Sequence, residues 1–386
     1  MNRYKLLRVT TVPVSLKLLL AGQPEFFGRN GFEVLTASAD GPERKDLLNE
    51  GVRHAIVPMT RKITPLRDIY ALIKMVGVIR SFKPDIIHTH TPKAGLIGML
   101  ASWICGVKVR MHTVAGLPLM ESTGIKRKLL ILTERITYAC ATRVYPNSTG
   151  LKTFINQNIS DSGKIYVLGH GSTNGIDVSY FKQSDELLVK ARYIRKEHKI
   201  PPDAFVFCFV GRIVNDKGIR EIIGAFKRLQ AEETKPVYIT LVGNFEQNLN
   251  PLDEADMQFL RTGSGIILTG FKEDVRPYIL AADAFLFPSY REGFPNVVLQ
   301  ACALERCCIV SDINGCNEII RHQQTGLLIR PKDVQAVFEA MRYVLDKKPE
   351  AAQLAKYSRQ FVTKNFDQQA VWSALLIEYK TLLEVG

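Results

Sequence analysis

Short apolar runs rich in β-branched and aromatic residues recur along the whole chain, and longer stretches of helical period separate them. In the first half the runs are Lys5–Val12, Phe32–Ala37, His54–Val57, Asp85–Thr89, Val107–Thr113, Arg143–Pro146 and Ile165–Leu168. In the second half they are Val206–Val210, Val237–Val242, Ile266–Leu268, Ala284–Phe287, Cys308–Ser311 and Gly326–Ile329. Helical stretches between them include Leu66–Phe82, Lys128–Cys140, Lys217–Glu232 and Val334–Leu345. Parallel strands need a long crossover, usually a helix, so this alternation predicts an α/β protein whose parallel sheets carry helices on both faces. No short-period repeat occurs, which excludes solenoids and propellers. The 386 residues exceed one domain of roughly 100–200 residues. The polar segment Asp177 to Asp203 is the best boundary, giving Rossmann-like domains over 1–176 and 177–367 that face each other across a cleft. Open α/β sheets place ligands outside the carboxyl ends of their strands.

Hydrophobic residues at 46% and charged residues at 23% exclude a disordered or low-complexity chain. The longest run without charge, Ala94 to Val107, has 14 residues, short of the ~20 that cross a bilayer. Near the N-terminus, Arg3, Lys5 and Arg8 precede an apolar stretch ending at Ala21-Gly22. Lys17 and Pro13 interrupt it and no small-residue cleavage site follows, so a first strand and helix are expected there rather than a signal peptide. The seven cysteines form no CxxC and lie mostly in apolar surroundings, as reduced thiols of a cytoplasmic protein would.

The charge is lopsided. Residues 1–175 hold 24 Lys and Arg against 11 Asp and Glu, whereas the remainder holds 27 of each. An excess of this size predicts an anionic partner: a membrane surface, an anionic acceptor or nucleic acid. The basic residues form no dense run and no nucleic-acid motif accompanies them, so nucleic acid is the disfavoured partner.

Two segments carry the chemistry. Gly211-Arg212-Ile213-Val214-Asn215-Asp216-Lys217-Gly218 follows one apolar strand and opens the helix expected from Lys217. A helix N-terminus presents free N–H groups to an anion, and Arg212 and Lys217 add a planar fork and a mobile point charge suited to a diphosphate. The spacing is not a Walker motif, and no GxGxxG occurs at the strand–helix turns, which removes the main support for hydride chemistry. The second segment is Pro288-Ser289-Tyr290-Arg291-Glu292-Gly293-Phe294-Pro295-Asn296-Val297-Val298-Leu299-Gln300. Gly293 permits a tight turn and Pro295 suits the first turn of a helix, so backbone N–H groups are aimed at the ligand edge. Glu292 is placed to accept hydrogen bonds from sugar hydroxyls. Gln300, eight residues on, is expected to point the same way.

In this order, the two segments resemble retaining glycosyltransferases of the GT-B fold, family 4. Asp85-Ile86-Ile87-His88-Thr89-His90, His112-Thr113-Val114-Ala115-Gly116, Leu241-Val242-Gly243, Gly270-Phe271, and Glu318 with Gly326-Leu327-Leu328 fall where that family has related segments. The resemblance implies that the last helix, within 368–386, returns to the N-terminal domain. It further implies that Arg212, Lys217, Glu292 and His112 are catalytic. Gly211, Gly243, Phe271, Gly293, Phe294, Pro295, Asn296, Val297 and Gln300 would bind a nucleotide-sugar donor. Ser15, His88, His90, Lys93 and Gly116 would lie on the acceptor side. One departure is Gln300, where the family usually carries a second carboxylate that grips the ribose; an amide still accepts one hydrogen bond and donates another. The branch with His88-Thr89-His90-Thr91-Pro92-Lys93-Ala94-Gly95 builds lipid-linked glycans in bacteria. It implies a UDP-linked N-acetylhexosamine donor such as N-acetylgalactosamine and a polyprenyl-diphosphate-linked acceptor.

His88, His90 and His112 by themselves suggest a zinc site. No carboxylate or cysteine completes it, so a polar lining of the cleft is the expectation, with no metal and no cofactor. Lys93 begins a helix and is placed either to meet acceptor phosphate or to sit in solvent. Peripheral membrane contact is expected near Leu117 to Met120 and Lys126-Arg127-Lys128. Competing readings are a GT-B-type sugar-nucleotide epimerase, which needs carboxylates at the sugar, and a nucleotide-binding protein without turnover.

Overall fold

The central apolar runs become strands buried on both faces, as parallel sheets require. The computed structural model describes residues 3–49, 51–246 and 250–385. They form two units, Met1–Asn174 with Gln368–Gly386, and Gly175–Asp367. The first unit runs β1 (Tyr4–Val9), α1 (Pro13–Leu19), α2 (Gln23–Arg29), β2 (Phe32–Ser38), α3 (Arg44–Asn49), β3 (Arg53–Ile56), α4 (Pro65–Phe82), β4 (Ile86–His90), α5 (Pro92–Ile104), β5 (Val109–Val114), α6 (Gly124–Cys140), β6 (Arg143–Pro146) and α7 (Thr149–Asn158). The second runs α8 (Asp185–Glu197), β7 (Phe205–Val210), α9 (Ile219–Glu232), β8 (Val237–Val242), α10 (Glu254–Thr262), β9 (Ile266–Gly270), α11 (Arg276–Ala281), β10 (Ala284–Phe287), α12 (Asn296–Ala303), β11 (Cys307–Ser311), α13 (Cys316–Ile319), β12 (Leu327–Ile329), α14 (Val334–Asp346) and α15 (Lys348–Phe366). The last helix, α16 (Gln368–Val385), belongs to the first unit.

Each sheet has six parallel strands, ordered β3-β2-β1-β4-β5-β6 and β12-β11-β10-β7-β8-β9. Numbered within its own unit, each order is the doubly wound 3-2-1-4-5-6. The strand order reverses between β1 and β4 in one unit and between β7 and β10 in the other. Crevices open at such switch points, so the loops after these four strands are where ligand chemistry concentrates.

Period-two alternation divides the first unit's core. Leu7, Val9 and Ile87 face the layer of α4, α5 and α6, whereas Leu6, Ile86 and Met111 face α2 and α16 through Phe27, Leu375 and Tyr379. Arg8, His88 and His90 therefore lie on the α16 side, and Thr89 and His112, paired in register, lie on the other.

Two expectations change. Ile165–Leu168 is no strand: it makes a single bridge, Val144 to Ile165. Val144 donates to Lys164 O at 2.9 Å and Tyr166 to Val144 O at 3.2 Å, but the next donor due from β6 is Pro146, which has no N–H. The helix expected from Lys217 starts at Ile219, because Gly218 turns left-handed (φ 74°) after a 3₁₀ turn over Asn215–Lys217.

Phe207 in β7 is fully buried in the second unit's core. Phe207→Ala is expected to lower the unfolding free energy by about 3–5 kcal/mol, read from the shift of a urea unfolding midpoint.

Candidate active site

The loops after β7 and β10 flank the second unit's switch point. Gly211 follows β7 and donates to Val242 O at 2.9 Å. Arg212 follows it, half-exposed, with Nη1 3.4 Å from Glu246 Oε2. Lys217 ends the 3₁₀ turn, is mostly buried, and ion-pairs with Glu292 from the loop after β10. Glu292 also accepts a 2.7 Å hydrogen bond from Ser289 Oγ. Each group of the pair holds the other's charge in a pocket too shielded to leave either alone.

Two glycines clamp the β10 loop. Gly218 (φ 74°) lies so close to the Pro288 carbonyl that a Cβ would collide with it. Gly315 (φ 78°) meets the Gly293 carbonyl in the same way, while Asn314 Nδ2 donates to Glu292 O at 3.2 Å and Gly293 O at 3.1 Å. Gly243, at the end of β8, packs on the Gly211 carbonyl with the same lack of room.

The loop then feeds α12. Pro295 is its N-cap, one position earlier than expected, and no side chain caps that terminus. Asn296 and Val297, the first two helical residues, have N–H groups that a four-residue ladder does not reach. Phe294 is buried, its ring 5.2 Å from that of Phe366, so it anchors the loop and leaves only its backbone for a ligand. Phe271 is 72% exposed after β9, with its N–H held by Asn244 Oδ1 at 3.0 Å. Gln300 sits half-buried in α12, but Glu292 lies outside that helix. The eight-residue spacing is therefore not two helical turns, and the loop's path sets where the two side chains point.

In the first unit His88, His90 and His112, expected as a polar lining of the cleft, are each about 1% exposed. His88 and His90 stack at 4.3 Å on the α16 side, and His112 lies on the opposite side of the sheet. One metal ion cannot reach all three. Instead, Arg8, itself about 1% exposed, organises the pair. Its guanidinium donates to Gln23 Oε1 (2.7 Å) and Tyr379 Oη (3.0 Å) and lies 3.0 Å from His90 Nε2.

A guanidinium only donates, so His90 Nε2 carries a lone pair and the ring proton is on Nδ1. His88 lies between two hydroxyls, its Nδ1 2.7 Å from Tyr379 Oη and its Nε2 2.7 Å from Thr113 Oγ1. His90 Nδ1 has no hydrogen-bond partner among the described residues. Burial, then the charge of Arg8, lowers the His88 pKa far below normal; burial does the same for His90, with His88 and Arg8 adding to it.

His112 bonds Thr89 Oγ1 through Nδ1 at 2.8 Å, and burial lowers its pKa to about 4. The imidazole fills the room left by Gly95 in α5. Lys93, at the start of α5, is neither free nor solvated: it ion-pairs with Asp68 of α4. Ser15 is half-buried in α1, and Gly116 follows β5. The apolar surface expected at Leu117 to Met120 is reduced to Pro118 and Met120, since Leu117 and Leu119 are buried.

Sequence reading missed Arg8, Tyr379, Gln23 and Asp68. Arg8 left a signal: one charge among apolar neighbours in a strand buried on both faces must find partners. Tyr379 left none, because it is 291 residues from His88.

Comparisons agree with this geometry. The family described as "Glycosyl transferases group 1" matches residues 191–361, and "Glycosyl transferase 4-like domain" matches 27–171. The capsular polysaccharide biosynthesis glycosyltransferase CapM of Staphylococcus aureus is 34% identical over 100% of this chain and 99% of its own. The UDP-Gal:alpha-D-GlcNAc-diphosphoundecaprenol alpha-1,3-galactosyltransferase of Escherichia coli is 27% identical over 84% of this chain and 83% of its own. The crystal structure of Anabaena Alr3699/HepE in complex with UDP superposes with a TM-score of 0.81 at 19% identity, over 98% of this chain and 100% of that one. Two doubly wound sheets with a cationic loop at the second switch point define a GT-B glycosyltransferase. The chain belongs to the glycosyl transferases group 1 family, with a family 4-type N-terminal domain.

The buried histidines make stability pH-dependent. The unfolded chain takes up protons near pH 6.5, whereas folded His112 resists until about 4. Stability is therefore complete above about pH 6.5 and is lost as pH falls through that window. Unfolding free energy measured from pH 7 to 4.5 is expected to fall less steeply in His112→Gln than in wild type, by up to about 1.4 kcal/mol per pH unit.

Proposed function

We propose that the chain moves a hexosyl or N-acetylhexosaminyl group from a UDP-sugar to a polyprenyl-diphosphate-linked saccharide, with retention of configuration and without a divalent metal. The setting is assembly of a cell-surface polysaccharide at the cytoplasmic face of the membrane. The observation that carries this reading is Lys217 held against Glu292 beside Arg212, at a switch point of the unit that matches the group 1 family. The donor base and the lipid-linked acceptor are supported by the UDP of the Anabaena structure and by the name of the Escherichia coli relative. The capsular relative supports the pathway.

In the ligand-free chain Glu292 neutralises Lys217. An arriving diphosphate competes for the lysine, and Glu292 is then released toward the sugar hydroxyls. The bond between the anomeric carbon and the diphosphate oxygen breaks, and its electron pair leaves with the phosphate, where Arg212 and Lys217 stabilise it. The N–H groups of Asn296 and Val297 at the uncapped start of α12 add to that field. The acceptor hydroxyl oxygen attacks the face the phosphate vacates, and its proton passes to the departing phosphate oxygen. Phe271 offers a face for the uracil ring, and Gln300 an amide for the ribose.

Lys217→Ala and Arg212→Ala are each expected to raise the barrier by about 2–4 kcal/mol, seen as a drop in kcat/KM with the protein still folded. Near-normal turnover in the double variant overturns the assignment. Mass analysis of products from a UDP-sugar panel that includes UDP-N-acetylgalactosamine, offered a polyprenyl-diphosphate sugar with and without EDTA, identifies the donor. Product that forms only with added metal overturns the metal-independent reading.

A further inference from the structure

We infer that a cavity at the amino edge of the second unit's sheet is a binding site for a small amphiphilic anion, a phosphate or carboxylate group on a short apolar body. Its volume is about 480 Å³, inside the ~300–1,000 Å³ range of small-molecule sites. It opens where three neighbouring strands begin: Phe205 is the first residue of β7, Asp283 precedes β10 and Arg306 precedes β11. Residues of α8, α11 and α15 wall it. Lys217 and Glu292 follow the carboxyl ends of β7 and β10, so the two sites lie at opposite ends of the same strands. Small side chains leave the space open. Ala191 of α8, Ala281 of α11, and Ala351 and Ala355 of α15 line it, and with Leu188 and Phe205 they form an apolar floor.

Charge selects the occupant. Four cations line the cavity, Arg192, Arg195, Arg306 and Lys348, against two carboxylates, Asp283 and Glu305. Both carboxylates are engaged. Asp283 Oδ2 accepts from Arg195 Nη2 at 2.7 Å and from Val206 N at 2.8 Å, and Glu305 Oε1 lies 3.5 Å from Arg359 Nε. Among the described residues no carboxylate ion-pairs with Arg192, Arg306 or Lys348. Arg306 rests on carbonyls instead, donating from Nε to Ile279 O at 3.2 Å and from Nη1 to Glu305 O at 2.9 Å. Arg195 Nε donates to Ala281 O at 2.8 Å. These bonds hold two planar forks at the end of α11, and each fork has more N–H groups than its partners use. Burial lowers the pKa of Arg306, and Asp283 and Glu305 offset part of the effect. An anion on these forks would supply the counter-charge that the chain does not. Arg192 and Lys348 stand exposed at the mouth, with Lys348 Nζ 5.3 Å from the centre of the Phe205 ring. Inorganic phosphate would satisfy the cations and leave the alanine floor wet, whereas a short hydrocarbon body covers that floor.

The test is isothermal titration of the full chain with hexyl phosphate, hexanoate, inorganic phosphate and hexylamine. Wild type is expected to bind hexyl phosphate or hexanoate about tenfold more tightly than inorganic phosphate, and hexylamine not at all. The tighter of the two hexyl anions names the head group. Arg192→Ser/Lys348→Ser removes the cations at the mouth, and Ala352→Trp narrows the opening from an exposed lining position on α15. Each is expected to weaken binding about tenfold with the circular dichroism spectrum unchanged. Arg306→Gln should do the same, and if that variant fails to fold the two mouth variants decide. Arg212→Ala/Lys217→Ala is expected to bind the hexyl anion as wild type does, because those cations belong to the other end of the strands. No binding of either hexyl anion at millimolar concentration, equal binding of hexylamine, indifference to the mouth variants, or loss of binding in Arg212→Ala/Lys217→Ala overturns the inference. The readout is binding alone, so the outcome stands apart from the proposed transfer reaction.

Discussion

The ion pair of Lys217 with Glu292 ties the loop after β7 to the loop after β10, and the second unit's site depends on it. Those strands are neighbours only because the sheet reverses its order there. A parallel sheet leaves every strand's carboxyl end on one edge, so a reversal puts two loops side by side with helices departing to opposite faces. Gly218 and Gly315 then press on the carbonyls of Pro288 and Gly293 from either side, which holds Glu292 within reach of Lys217.

The first unit solves a different problem with the same topology. Its switch point is filled by Arg8, a buried guanidinium whose hydrogen-bond partners are Gln23, Tyr379 and His90, with no carboxylate among them. Burial lowers the pKa of this arginine, and Tyr379 offsets part of the effect. Because arginine can only donate, His90 Nε2 accepts from it, while the hydroxyls of Tyr379 and Thr113 bracket the His88 ring. Burial keeps both imidazoles neutral. The same residues dock α16: Tyr379 is fully buried, and Trp372 Nε1 bonds Asn174 Oδ1 at 2.7 Å where the chain leaves the unit.

Much of the fold was legible in the chain. Strands β6, β8 and β10 match their apolar runs residue for residue, because a strand buried on both faces must be apolar throughout. The Ile165–Leu168 run had the same composition and failed, since Pro146 on its neighbour withholds a donor. The paired cations and Glu292 were legible because a strand–loop–helix pattern marks a ligand edge wherever it occurs. For the histidines, alternation along β4 puts His88 and His90 together, while register with β5, which the sequence does not reveal, sends His112 to the other face.

Order along the chain determined the class of fold, the positions of the two chemical loops and the basic character of the first unit. Those follow from local periodicity and from which residues can ionise, and neither needs a partner to be known. Only the tertiary structure decided that Lys93 is spent on Asp68, that Leu117 and Leu119 are buried, and that Tyr379 reaches back to Arg8. Burial and pairing are properties of what lies opposite a side chain, and what lies opposite is set by strand order and helix packing between residues far apart in sequence.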